Sequence, residues 1–208
     1  ISKNKKNGIY YEESIIQLIN IKYEKFKKLT VKTNNEIKDI ISEYEKVINL
    51  LGQNNETIMT IIDMSHIISF YKNDKSKAKN LLLTLIENKN ISSQNIAYVK
   101  LKLGDIFLSE GEKWDAILFY SQVEKEFKND IIGQEAKLKK IKVDYYNGDF
   151  NWAQAQLDVL KKSTSKLVSN NSIELSLLIT DNLNLDTTTT ALEMYAKAEL
   201  FIYQNNFE

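Results

Sequence analysis

Glu110-Gly111-Glu112-Lys113-Trp114-Asp115-Ala116 and Asn147-Gly148-Asp149-Phe150-Asn151-Trp152-Ala153 are two copies of one unit, with glycine and alanine recurring together at a separation of 37 residues. In each copy a glycine ends one helix, an acidic residue caps the next, and a small alanine lets the second helix pack closely against the first. A weaker copy, Asn73-Asp74-Lys75-Ser76-Lys77-Ala78, puts its alanine 38 residues before Ala116, and Gln204-Asn205-Asn206-Phe207 reads as a last copy cut short. Periods of this length mark stacked helical repeats, in which no helix pair buries its apolar face alone and neighbouring pairs supply one continuous core.

Outward from these turns the chain keeps a helical pattern. Apolar residues recur at three- and four-residue spacing, as in Ile15, Leu18 and Ile19 or Leu101, Phe107 and Leu108, and strand alternation is nowhere sustained. Thr33 with Glu36 forms a capping box, Gly52 with Asn54 and Asn55 closes one helix and opens another, and Asp130 opens a third. Helices are expected near residues 12–30, 35–51, 55–71, 74–88, 93–110, 113–127, 131–147 and 150–162. The expected architecture is all-α: a right-handed α-solenoid of antiparallel helix pairs.

Phe150 and its counterpart Phe207 lie 57 residues apart, about 20 residues more than one period needs. The array is therefore divided into repeats over 1–162, an inserted helix and loop over 163–186, and a truncated final repeat over 187–208. Within the surplus, Ser172 to Ile179 reads as a short capped helix and Asp186 to Thr190 as a loop, with Thr190 and Glu193 forming a second capping box. The insertion reads as an extra helix packed on the stack, with a joint or a binding element as the other readings. The last helix, near Thr190 to Gln204, is expected to lack its partner, so that Leu192, Tyr195, Leu200 and Phe201 seek cover on the inserted helix or on another molecule, self-association through this edge included, or the helix frays.

Composition agrees with this class. The chain of 208 residues is 43% hydrophobic and 27% charged, has no proline and has six glycines, which favours long helices over hairpins and barrels. Its 28 basic residues are all lysine and are balanced by 28 acids, so no general field draws it to nucleic acid or anionic lipid. Cysteine is absent, which removes thiolate chemistry and cysteine zinc sites. No apolar run reaches the roughly 18 residues of a membrane span. The first residues carry neither Met nor a signal-type segment, and the chain is expected to be a piece of a longer one.

Lys100-x-x-Leu103-Gly104-x-x-Phe107, followed by Ala116-x-x-x-Tyr120, resembles the tetratricopeptide repeat, with Lys100 in place of the usual tryptophan. The resemblance implies that Leu103 and Phe107 are core, that Gly104 allows close approach, and that Ala116 and Tyr120 lock the second helix onto the first. Ala153 with Leu157 and Ala78 with Leu82 repeat the second half, whereas Ile141 and His66 replace Gly104 and Asp144 and Ser69 replace Phe107. The period exceeds the usual 34 residues, so the repeats are degenerate.

The resemblance also implies that the first helix of each pair lines a concave groove. That places Asp63, Ile67, Phe70 and Tyr71, then Tyr98, Leu101, Asp105 and Leu108, then Glu135, Leu138, Lys142, Tyr145 and Tyr146 along it, with Tyr145 at the centre and Tyr146 toward the rim. A clamp for a C-terminal carboxylate is disfavoured, because Asp63, Ile67, Leu101 and Asp105 stand where such clamps use lysine and asparagine.

No enzyme is expected. His66 is the single histidine and reads as a packing residue with no second ligand for a metal. Acids such as Asp105, Glu110 and Glu112 read as a solvated face, the glycines make no phosphate loop, and no cofactor is implied. The lysine groups Lys25, Lys27, Lys28 and Lys137, Lys139, Lys140, Lys142 also read as solvated faces, and Trp114 and Trp152 as packing residues. The leading expectation is a scaffold that binds a protein or peptide segment in the groove. A spacer array in a larger protein is the first alternative. RNA-binding repeats are the second, opposed by Asp63, Asp105 and Glu135.

Overall fold

The computed structural model describes residues 10–162, 165–185 and 188–206, and no strand occurs among them. Among the described residues ten α-helices follow one another: α1 (Tyr11–Lys27), α2 (Asn34–Leu51), α3 (Ile58–His66), α4 (Lys75–Ile86), α5 (Ser93–Ser109), α6 (Lys113–Glu126), α7 (Ile131–Tyr146), α8 (Phe150–Leu160), α9 (Lys166–Leu185) and α10 (Thr190–Tyr203). The chain divides into two compact units, Ile1–Lys102 and Leu103–Glu208, with the boundary inside α5. Asp186, Thr187 and Phe207, which the loop and the last repeat copy require, lie outside the described residues, as does the N-terminal segment 1–9.

Helix ends follow local chemistry. The Thr33 capping box forms, its hydroxyl accepting from the Glu36 amide at 3.3 Å while the Glu36 carboxylate accepts from the Thr33 amide at 2.8 Å. Asn73, Gly111, Gly148 and Asn205 all adopt positive φ, at 59°, 83°, 87° and 56°, the conformation that reverses the chain after a helix. The turn following α5 closes with the Glu112 amide donating to Phe107 O at 3.0 Å, that following α7 with Asp149 to Asp144 O at 3.0 Å, and that following α10 with Asn206 to Phe201 O at 2.9 Å. Three turns expected from sequence thus share one hydrogen-bond pattern. The second capping box does not form: Thr189 is the cap, and its hydroxyl donates to the Glu193 carboxylate at 2.6 Å instead of meeting a backbone amide.

In the first unit, α1 packs on α2 and α2 on α3 through Ile19, Tyr23 and Phe26 against Ile37, Ile40, Ile41, Tyr44 and Ile48. The helix expected over 55–71 is interrupted, because α3 passes into a π-helical turn over Ile67–Tyr71. One extra residue in the turn lets both Ile67 and Ile68 enter the core. It also lengthens the closing bond, the Asp74 amide reaching Ile68 O at 2.9 Å, six residues back instead of five.

In the second unit, Tyr120 of α6 covers Gly104 of α5 so closely that a β-carbon there would run into its ring. α7 packs on α6 and α8, and α9 packs on α8 and α7. The core runs through Leu138, Ile141, Tyr145, Phe150, Ala153, Leu157, Leu160, Val168, Leu175, Ile179, Leu192 and Ala196. The short helix expected over 172–179 is a helix of 20 residues. Its buried positions, Val168, Ser172, Leu175, Ser176 and Ile179, keep helical spacing, and two of them are serines that an apolar pattern overlooks. Ser176 accepts from Gln154 at 2.8 Å and Lys161 at 3.1 Å, so polar contacts help to join α8 to α9. α9, expected as an insertion, takes the place beside α8 and α7, and α10 returns to pack on α7.

Trp114 and Trp152 are corrected by the structure. They are 72% and 61% exposed, on the outer faces of α6 and α8, and do not pack in the core.

Candidate functional site

Helices α7, α9 and α10 diverge from the shared core around Tyr145 and leave a cleft of about 340 Å³, lined by Lys142, Tyr145 and Tyr146 of α7, Asn171, Glu174, Leu175 and Leu178 of α9, and Tyr195 and Glu199 of α10. On α9 the four lining residues fall at i, i+3, i+4 and i+7, one face of a helix. The floor is apolar and aromatic, with Leu175 buried and Leu178 half-buried beside Tyr145 and Tyr146, whose ring centroids lie 5.5 Å apart. The polar lining is more open: Lys142, Asn171 and Glu174 are exposed, and none of their side chains makes a hydrogen bond or ion pair with another described residue.

The Tyr145 hydroxyl donates to Glu199 Oε2 at 2.8 Å. Burial, that bond and the Glu199 charge together push the phenol well above its usual range. Burial and then Glu199 push Tyr146 up to about 12. Both phenols therefore stay protonated near neutrality.

Next to the cleft, Asp105 of α5 joins three helices. It accepts from the Tyr120 hydroxyl at 2.8 Å and forms an ion pair with Lys139 of α7 at 2.8 Å. Although burial works against its charge, the neighbouring Asp105 carboxylate holds Lys139 above the usual lysine range.

The expected groove residues divide by burial. Ile67, Leu101, Leu108, Leu138 and Tyr145 are buried. Asp63, Phe70, Tyr71, Tyr98, Asp105 and Glu135 are half-buried, and Lys142 is exposed. Tyr145, placed at the groove centre by register, is 1% exposed, because its hydroxyl and ring are already engaged by α10 and the core. The cleft brings together Lys142, Tyr145 and Tyr146 from the sequence-based set. It adds Tyr195, which the sequence singled out only as a residue seeking cover on the truncated repeat, and Asn171, Glu174, Leu175, Leu178 and Glu199, which the groove register left out because it covers only the first helix of each complete pair.

In the first unit, Asp63 lies among charged groups. Burial raises its carboxyl to about 6 against the opposing pull of Lys102 and Lys27, with Glu24 adding to the rise. The Tyr44 hydroxyl is buried with no hydrogen-bond partner among the described residues. His66 packs against Phe70 and Tyr71 at centroid distances of 4.7 and 5.8 Å, and its Nδ1 lies 3.3 Å from Lys102 Nζ, in keeping with a packing role.

Among the described residues no group of three or more His, Cys, Asp or Glu side chains is arranged to hold a metal ion, and no helix is long and apolar enough to cross a membrane. The chain matches no protein-family model, no curated protein and no solved structure.

Proposed function

We propose that the chain is a protein-interaction module of tetratricopeptide-like helical pairs, and that the cleft between α7, α9 and α10 receives a segment of a partner protein. What supports this reading is a lining that combines aromatic and aliphatic side chains with Lys142, Asn171 and Glu174, whose side chains make no hydrogen bond or ion pair among the described residues. A peptide segment matches such a lining in kind: aliphatic or aromatic side chains for the floor, charges of both signs for Lys142 and Glu174, and a backbone amide for Asn171.

The test is selection of binding peptides from a random library, followed by fluorescence anisotropy with the wild type and with Lys142→Glu and Glu174→Lys. Both substitutions lie on exposed helix positions and should leave the fold intact. Selected peptides should share apolar residues flanked by charge and should bind at least one variant about tenfold more weakly. Failure to select any peptide, or equal affinity for all three proteins, would place the function elsewhere.

A further inference from the structure

α10 lies across residues that register assigns to the groove. At its start Glu193 sits beside Gly148, at the end of α7. Midway, Glu199 takes the Tyr145 hydroxyl. At its end the Tyr203 hydroxyl donates to Asp105 O at 3.1 Å and the Gln204 amide to Leu108 O at 3.2 Å, both carbonyls in the C-terminal part of α5. Asp105, Leu108 and Tyr145 are three of the expected groove residues, and the helix occupying them belongs to the chain itself.

The hold on α10 is light. Of its 14 residues only Leu192 and Ala196 are buried, whereas α8, with 11 residues, buries Phe150, Ala153, Leu157 and Leu160. The far side of α10 leaves Met194 and Ile202 at 68% and 62% exposure. A helix of this length is marginal alone in water, so the docked state depends on the buried Leu192 and Ala196, the half-buried Leu200 and Tyr203, and side-chain hydrogen bonds, the pattern of an amphipathic helix laid into a groove.

We infer that the face formed by α7 and the C-terminal end of α5 is a helix-docking groove, that α10 occupies it in cis, and that the partner is an amphipathic helix with the spacing of Leu192, Ala196, Glu199, Tyr203 and Gln204. This rests on the reading of the chain as an interaction module and names the partner class for the same site: the open cleft is the part of the groove that α10 leaves unfilled. Such a partner carries an aliphatic residue, a small residue four positions on, a carboxylate three further, and an aromatic hydroxyl followed by an amide at the end. Because α10 is tethered, its effective concentration is of millimolar order, and a partner binds appreciably only when α10 is weakened or the partner adds contacts to the α9 wall of the cleft.

A fluorescein-labelled peptide with the sequence of residues 188–206 is the probe. It is titrated into the wild type, into Glu199→Ala/Tyr203→Phe, which weakens the resident helix while leaving the groove intact, and into the same double variant carrying Tyr145→Phe. The double variant should stay folded by circular dichroism and bind the peptide at least about tenfold more tightly than the wild type; adding Tyr145→Phe should weaken that binding. The inference is overturned if the folded double variant fails to bind the peptide or binds it no better than the wild type, if Tyr145→Phe has no effect, or if the double variant unfolds, which would make α10 an integral part of the core. A null result together with library peptides that still respond to Lys142→Glu or Glu174→Lys would remove the role of α10 and leave the interaction reading standing.

Discussion

Gly104 shows how much one missing β-carbon can decide. The Tyr120 ring occupies the space a side chain would need, so Gly104→Ala should destabilise the protein by about 1–3 kcal/mol through overpacking, even after the alanine gains about 1 kcal/mol in helix propensity. Urea denaturation measures this, and unchanged stability would mean that the α5–α6 contact is looser than described. Asp63 provides a pH signature. Its folded pKa, about 6, lies above the ordinary value of 3.8, so its contribution to stability is fully present below about pH 4 and is lost as pH rises through about 6. Asp63→Asn should therefore become more stable relative to the wild type between pH 5 and pH 8, by on the order of 1–2 kcal/mol after allowance for partial solvent screening; a pH-independent difference would contradict this. Small residues were the most legible in sequence, because Ala78, Ala116 and Ala153 are all fully buried as their register requires. The tryptophans were not. Trp114 and Trp152 read as packing residues beside the turns, but their positions face outward, and Trp114→Ala should change stability by no more than about 0.5 kcal/mol.

The helices α1 to α8 lie where apolar periodicity and turn residues put them, since both signals are local. Two features escaped that reading. The π-helical turn over Ile67–Tyr71 depends on which isoleucines the core can accept, a tertiary condition invisible to an α-helical period. The full length of α9 was hidden because Ser172 and Ser176 stand at buried positions, and Ser172 satisfies its hydroxyl on Val168 O at 2.6 Å. The shared turns are testable. Gly111 and Gly148 adopt φ of 83° and 87°, where a side chain costs roughly 1–2 kcal/mol, so Gly148→Ala should lower the unfolding midpoint while Gly148→Asn should cost less. Equal effects would imply that the turn relaxes out of the left-handed region.

Sequence alone supported an all-helical chain and an extra helix before the last one, but not the place of that last helix. Return of α10 to α7 depends on hydrogen bonds between residues far apart in sequence, such as Tyr203 with Asp105 and Glu199 with Tyr145, and repeat register carries no information about them. In the second unit the helices α6 to α9 pack on one another in succession, and α10 lies on this assembly with two buried residues, Leu192 and Ala196. Its opening should therefore require less free energy than unfolding of the core. Native-state hydrogen exchange of the full chain, read by mass spectrometry on peptides from α7, α8 and α10, measures that difference. Amides of α10 should exchange well before those of α7 and α8, with an opening free energy at least about 2 kcal/mol lower, whereas a release of α10 only together with α7 would show that the groove is never vacated and that the helix is core, not occupant.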